Sequence, residues 1–151
     1  MSVQRLRTAD LVQLGAAVVL AVTLFVPWYS TDPANPNANV DGHRGDVSAW
    51  TAHPLLRWFL LAAVAAAVLS AWQTISGQQP SQGFHRGETS VVVAAIVVVL
   101  VVYQGWIDRP GDPPAAIDLA VSWYLAFAAS VVALGAAIAR LPAMARRPPG
   151  V

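Results

Sequence analysis

The sequence predicts an all-α fold, an integral membrane bundle of four helices. Of its 151 residues, 56% are hydrophobic and only 11% are charged, whereas a soluble domain carries about 25% charged residues. The charges also avoid four stretches of 19 to 28 residues, at 11–31, 58–85, 89–107 and 119–139. A bilayer core about 30 Å thick is crossed by roughly 20 apolar helical residues. Each stretch is therefore long enough for one spanning helix, and a single domain over residues 1–151 is expected.

Composition also narrows the classes of partner and chemistry. A net charge of +1 does not suit a polyanionic partner, so membrane lipid is expected as a partner and nucleic acid is not. The chain has no cysteine, which excludes disulfides, thiol catalysis and thiolate metal sites. All nine basic residues are arginine. With the many Ala, Val and Pro residues, this suggests a bacterial protein of the plasma (cytoplasmic) membrane.

The first helix is predicted over residues 9–28. Arg5 and Arg7 precede it, which is also typical of a signal peptide. The apolar run is long for a signal peptide, however, and no small-residue cleavage site follows Tyr29. We therefore expect an uncleaved first helix.

A polar extracytoplasmic loop is predicted over residues 29–53, and a second helix over residues 54–76. Turn signals such as Asp32-Pro33 and Asp41-Gly42 interrupt the loop, and no apolar periodicity runs through it. Pro54 suits the first turn of a helix. The sequence leaves open whether the loop is ordered.

The third helix is predicted over residues 89–107 and the fourth over residues 115–140. Eight valines between positions 91 and 102 would favour a strand in water. An open strand in lipid leaves its backbone unpaired, so a helix is expected there. Asp112 and the prolines after it suit the start of the fourth helix. The Pro- and Arg-rich residues 141–151 are predicted to form a flexible cytoplasmic tail.

The distribution of arginine predicts the orientation of the bundle. With a cytoplasmic N-terminus, six arginines fall in cytoplasmic segments, and three, Arg44, Arg57 and Arg109, fall outside. Cytoplasmic loops carry an excess of basic residues. Both termini are therefore expected to be cytoplasmic.

Aromatic and charged residues gather at the predicted outer ends of the helices. The candidate interaction cluster at this outer face consists of Trp28, Tyr29, Trp50, Arg57, Trp106, Asp118 and Trp123. One interpretation is an interfacial aromatic belt. The other is a cap or shallow pocket that the rings form with the loop. A further hypothesis pairs Arg57 with Asp118 or Asp108, the alternative being that Arg57 snorkels alone to water.

Small residues recur at four-residue spacing on two predicted helices. The candidate helix-packing faces consist of Ala63, Ala67 and Ala71 on the second helix and Ala129, Ala133 and Ala137 on the fourth. Such faces let helix backbones approach closely in lipid. They predict packing within the bundle, or contact with a second copy or another membrane protein.

The sequence does not favour catalysis or cofactor binding. His43, His53, Asp41 and Asp46 match no metal-site spacing, and no histidine lies deep in a predicted helix, which disfavours haem. The interior of the predicted spans holds only neutral polar residues, so it lacks the acid or histidine that proton-coupled transport normally needs. No metal ion or cofactor is expected, and no catalytic residue is assigned.

Three short motifs, Pro27-Trp28-Tyr29, Ser48-Ala49-Trp50 and Asp108-Arg109-Pro110, lie at the predicted outer face. Together with the four-helix layout, they resemble the pattern of uncharacterised small four-span membrane proteins of actinobacteria. The chain departs from that pattern at Thr51-Ala52-His53-Pro54, where an acid and an aromatic residue would follow the tryptophan. The resemblance implies the fold and no particular activity.

The sequence thus predicts a multi-pass membrane protein without enzymatic activity. The first expectation is an accessory or scaffold subunit that uses its outer aromatic face. The alternative is a small transport or lipid-binding protein that uses the space beneath the loop, and the second alternative is a membrane enzyme.

Overall fold

Helices make up most of the computed structural model, which describes residues 7–76 and 86–145. Its helices are α1 (Thr8–Thr23), α2 (Ala49–Ala52), α3 (Leu56–Ser76), α4 (Arg86–Val102) and α5 (Val121–Ala145). Its strands are β1 (Pro27–Thr31), β2 (Asp46–Ser48) and β3 (Ile117–Leu119). A π-helical segment, Tyr103–Ile107, continues α4, and a 3-10 turn, Pro114–Ala116, precedes β3.

The four long helices α1, α3, α4 and α5 alternate in direction along the bundle. Three stretches, Leu56–Ser76, Glu88–Ile107 and Val121–Leu141, are long and apolar enough to span a membrane, while α1 is shorter. Helix α5 packs against both α1 and α4, and α3 and α4 pack less closely against each other. We call the end of the bundle with the strands the cap end, and the opposite end the base end.

A three-stranded antiparallel sheet covers the cap end, so the prediction of an all-α fold is wrong there. Its strand order is β2-β1-β3, and Tyr29 in β1 lies opposite Val47 and Leu119. The first helix, predicted to reach residue 28, ends at Thr23, before Pro27, which cannot donate a helical hydrogen bond. The Trp28 indole N–H donates to the Thr23 carbonyl oxygen at 2.7 Å and so satisfies one group at the helix end.

The segment predicted as a polar loop, residues 29–53, is folded. It contributes most of β1, all of β2 and α2, and a tight turn in which Asp41 and Gly42 both have positive φ. Hydrogen bonds between Asn39 and Asp112 tie it to the chain before β3. Long-range pairing therefore orders a segment whose local sequence indicates only turns.

Two other predicted boundaries differ from the structure. The fourth helix was predicted from residue 115, but residues 117–119 form β3 because they pair with β1, and α5 begins at Val121. Helix α5 also extends to Ala145, so the first part of the predicted tail, residues 141–145, is helical. Residues 146–151 of that tail lie outside the described residues.

Candidate functional site

Three of the predicted outer-face residues form the core of the cap. The side chains of Trp28, Tyr29 and Trp123 are fully buried. The Trp123 indole N–H donates to the Val101 carbonyl oxygen at 3.2 Å, and its ring lies against Gly105 so closely that a Cβ atom there would collide with it. Because these rings are buried against the helices, they hold the cap in place and are inaccessible to a partner.

The phenol of Tyr29 meets the imidazole of His53 inside the cap, with Oη and Nε2 2.7 Å apart. Both side chains are buried. Burial lowers the pKa of His53 to about 4, although the nearby Asp108 carboxylate raises it. Burial also raises the pKa of Tyr29, and the charge of Arg109 opposes that shift. Both groups are therefore neutral at physiological pH.

Arg57 does not pair with Asp118 or Asp108, so that hypothesis is wrong. Its guanidinium donates to the Trp50 carbonyl oxygen at 3.1 Å. The Arg57 Cζ atom lies 4.8 Å from the ring centroid of Trp50 and 5.5 Å from that of Trp58. Cation–π contacts with two indoles therefore replace the expected carboxylate.

The other members of the predicted cluster lie around this core. Asp118 is an exposed residue of β3 opposite Ser30, and Trp106 is 58% exposed. Trp50 is half-buried and stacks on Phe25 with ring centroids 5.0 Å apart. The structure thus divides the cluster into a buried core and a more exposed periphery, in which Trp106 packs on Trp123 with ring centroids 5.4 Å apart.

A buried ion pair lies at the base end. Arg140 Nη2 is 2.9 Å from Asp10 Oδ1, and the two residues are 8% and 6% exposed. Asp10 also accepts a hydrogen bond from the backbone N–H of Arg7 at 2.9 Å, which closes the first turn of α1. The pair therefore joins the beginning of α1 to the last turns of α5.

Neutral polar side chains extend this pair to the other two long helices. Arg140 donates to Gln13 Oε1 at 2.5 Å and to the Ser70 hydroxyl at 3.3 Å. The Gln13 amide N–H donates in turn to the Ser90 hydroxyl at 2.7 Å. This base network, Asp10, Gln13, Ser70, Ser90 and Arg140, therefore links α1, α3, α4 and α5.

A cavity of about 340 Å³ lies between the four long helices, above the base network. This volume falls within the range of about 300–1,000 Å³ that is usual for small-molecule sites. At its base end the cavity is lined by Gln13, Ser70, Gln73, Thr89 and Ser90. Towards the cap end its lining is apolar except for Ser130, and it includes Ala17, Leu20, Val64, Val93 and Val97. The cavity therefore has one polar end and one apolar end.

The two candidate helix-packing faces point into the bundle. Three of their residues, Ala63, Ala67 and Ala133, line the cavity. The others, Ala71, Ala129 and Ala137, are buried. The small side chains of the three lining residues leave space for the cavity, and the other three residues let the helices pack closely.

A second, apolar groove lies beside the cavity, between α3 and α4. Its residues include Phe59, Ala62, Ile96 and Leu100. It shares Ala63, Ala66, Val93 and Val97 with the cavity. The groove therefore adjoins the cavity across these shared residues, and it forms a lateral opening between the two neighbouring helices that pack least closely.

Comparison of the chain with protein-family models, with curated proteins and with solved structures found no match in any of the three. The resemblance to small actinobacterial membrane proteins therefore stays a prediction. Its function is therefore inferred from the geometry of the chain itself.

The cavity is the feature of this arrangement that has space for a ligand. Residues 7–76 and 86–145 contain no group of three or more His, Cys, Asp or Glu side chains placed to hold a metal ion. The cavity instead combines an apolar wall with hydrogen-bonding groups at one end. The sequence does not predict the base network below this cavity, because Asp10 and Arg140 stand only at the edges of two separate uncharged runs. Asp10 is the third residue of α1, and Arg140 lies about one turn before the end of α5.

Proposed function

We propose that the protein is an integral membrane protein of the plasma membrane whose four long helices span the bilayer. The three longest apolar segments are little covered by their own chain: only 11% of the most apolar window of Leu56–Ser76 is buried. Large hydrophobic side chains such as Val22, Phe59 and Val99 are exposed along the helices. Exposed apolar surface of this extent needs another apolar phase to cover it. A lipid bilayer surrounds a bundle and therefore covers the apolar surface on all of its sides.

Helix α1 spans the membrane together with the residues that follow it. Its 16 residues correspond to about 24 Å at 1.5 Å per residue, somewhat less than a bilayer core of about 30 Å. The apolar residues Leu24–Val26 extend it towards the cap. The arginine distribution supports cytoplasmic termini, which puts the base end at the cytoplasmic face and the cap outside.

Within this membrane protein, we propose that the cavity binds one hydrocarbon chain of a membrane lipid. The observation that carries this proposal is that the cavity shares four lining residues with the lateral opening, the apolar groove between α3 and α4. A chain can enter through that opening directly from the bilayer, without crossing water. The small side chains of Ala63, Ala67 and Ala133 keep the space open. The proposed activity is lipid binding, one of the alternatives that the sequence left open, but its site lies between the four long helices and not beneath the loop.

The scaffold function that uses the outer aromatic face has less support. Trp28, Tyr29 and Trp123 are buried, so four of the seven cluster residues are left for a contact surface. The proposal assigns the cap a structural role and gives the protein no enzymatic activity. Binding to another membrane protein or to a second copy stays a prediction.

Lipid analysis of paired variants tests chain binding. Ala67 lines the cavity, whereas Ala65, two positions earlier on α3, is exposed. Ala67→Leu is expected to reduce the lipid that co-purifies with the full chain in mild detergent, because the added atoms occupy the cavity. Ala65→Leu is the matched control and is expected to leave the bound lipid unchanged. Equal lipid in both variants, measured by mass spectrometry of the intact complex, would contradict the proposal.

A further inference from the structure

The polar groups of the cavity are segregated at its base end, and they come from three helices. Gln13 belongs to α1, Ser70 and Gln73 to α3, and Thr89 and Ser90 to α4. Side chains around the rest of the cavity are apolar, apart from Ser130, whose hydroxyl donates to the Phe127 carbonyl oxygen at 2.7 Å. A ligand in this space is therefore an amphiphile whose polar group lies at the base end.

The charges near this polar end compensate each other. Arg140 pairs with Asp10 and also donates to Gln13 and Ser70, so its positive charge is already balanced by a carboxylate. An ionised head group at this position would leave an unbalanced charge beside an apolar cavity, which is costly. Amide and hydroxyl side chains can instead exchange hydrogen bonds with a neutral hydroxyl or ester group.

The base network also fixes the direction of the Gln13 amide. Gln13 Oε1 accepts from Arg140, while Gln13 Nε2 donates to Ser90. A side chain held from both ends loses little further rotamer entropy when a ligand binds, which favours affinity. The ion pair thus acts on the ligand indirectly, by positioning Gln13.

We infer that the cavity selects a lipid with an uncharged, hydroxyl-bearing head group of the monoacylglycerol class, held at the base end by Gln13, Gln73 and Thr89. This inference rests on the proposed chain binding and adds the chemistry of the head group. The acyl chain extends from there towards Leu20 and Val97, which line the apolar half of the cavity. The ester and glycerol oxygens meet the neutral side chains at the polar end.

Three probes with the same oleoyl chain test this inference: monoolein, oleate and oleoyl lysophosphatidate. Binding of each to the full chain in detergent is measured by titration under native mass spectrometry. Monoolein is expected to bind about tenfold or more tightly than either ionised probe, a difference of roughly 1.4 kcal/mol. Equal affinities, or tighter binding of an ionised probe, would overturn the head-group inference while leaving chain binding intact. Binding of none of the three would overturn the proposed function as well.

Two variants assign the preference to the polar end. Gln73→Leu removes a lining amide that lies outside the base network, and we expect it to reduce the preference for monoolein about five-fold, as for one lost hydrogen bond. Thr89→Val is expected to act in the same direction. Thr74→Val is the matched control, because the Thr74 hydroxyl donates to the Ser70 carbonyl oxygen and does not line the cavity. An unchanged preference in both lining variants, each folded and still binding monoolein, would contradict the inference.

Discussion

Asp10 and Arg140 form a buried ion pair, 2.9 Å between carboxylate and guanidinium, that joins α1 to α5. Gln13 lies against the same guanidinium and lines the cavity. The contact that holds the base of the bundle together therefore also orients a side chain at the proposed site. Stability and ligand selection are coupled at this one point.

Breaking the ion pair is expected to destabilise the bundle strongly. Arg140→Met leaves the Asp10 carboxylate buried without its partner, which typically costs about 3–5 kcal/mol. The double variant Asp10→Leu, Arg140→Met removes both charges and is expected to cost less than the two single changes together. The midpoint of thermal unfolding in detergent measures each variant. Strictly additive losses would mean that the two charges are not coupled.

Gly105 is expected to tolerate no side chain. A Cβ atom at this position would meet the Trp123 indole, so Gly105→Ala must displace a buried ring, at a cost of about 1–3 kcal/mol. Gly135→Ala is the control: nothing lies within 4 Å of a Cβ atom there, and alanine favours a helix. Thermal unfolding should therefore shift downwards for the first variant alone. A Gly105→Ala protein as stable as the Gly135→Ala protein would show that the ring has room to move.

Acidification is expected to weaken the cap through His53. Its pKa is about 4 in the folded chain and about 6.5 in an unfolded one, so the unfolded chain binds more protons between these values. The free energy of unfolding is therefore undiminished above about pH 6.5 and falls as the pH is lowered towards about 4, by at most about 3 kcal/mol.

Thermal unfolding as a function of pH checks this prediction. His53→Gln should flatten the curve between about pH 4 and 6.5. The exposed His43 provides the control, because His43→Gln should retain the full dependence. If His53→Gln keeps the same slope as the unaltered chain, another group causes the loss.

Arg57 and Asp118 are expected to act independently. Arg57 contacts Trp50 and Trp58, and Asp118 is exposed in β3. Arg57→Gln should cost about 0.5–2 kcal/mol through lost cation–π contacts, while Asp118→Asn should change the midpoint of unfolding very little. The double variant should show the sum of the two. A non-additive result would show that the two residues interact.

The sequence predicts the long helices well because their signal is local. An uncharged apolar run of about 20 residues is visible without knowledge of the rest of the chain, and α3, α4 and α5 all overlap their predicted ranges. Pro27 was the available local sign that the first helix ends early. The apolar run that continues through Phe25, Val26 and Trp28 hides that sign.

The sheet and the cavity depend on contacts that have no local signal. Strands β2 and β3 have three residues each, too few for an alternating pattern, and they form by pairing with β1. Asp10 and Arg140 lie at opposite ends of the chain, and nothing in the spacing around either residue indicates its partner. Sequence alone therefore predicts the candidate cluster at the outer face and misses the base network.

Photo-crosslinking with an oleoyl probe that carries a diazirine in its chain tests the lipid-binding cavity most directly. Val92 and Val93 are neighbours on α4, but Val93 lines the cavity and Val92 is exposed on the outside of the bundle. We predict adducts at Val93 and at the inward-facing Leu20, lost when excess monoolein competes, with weaker labelling of Val92 that does not respond to competition. Labelling confined to Val92 and other outward residues, insensitive to monoolein, would contradict the account.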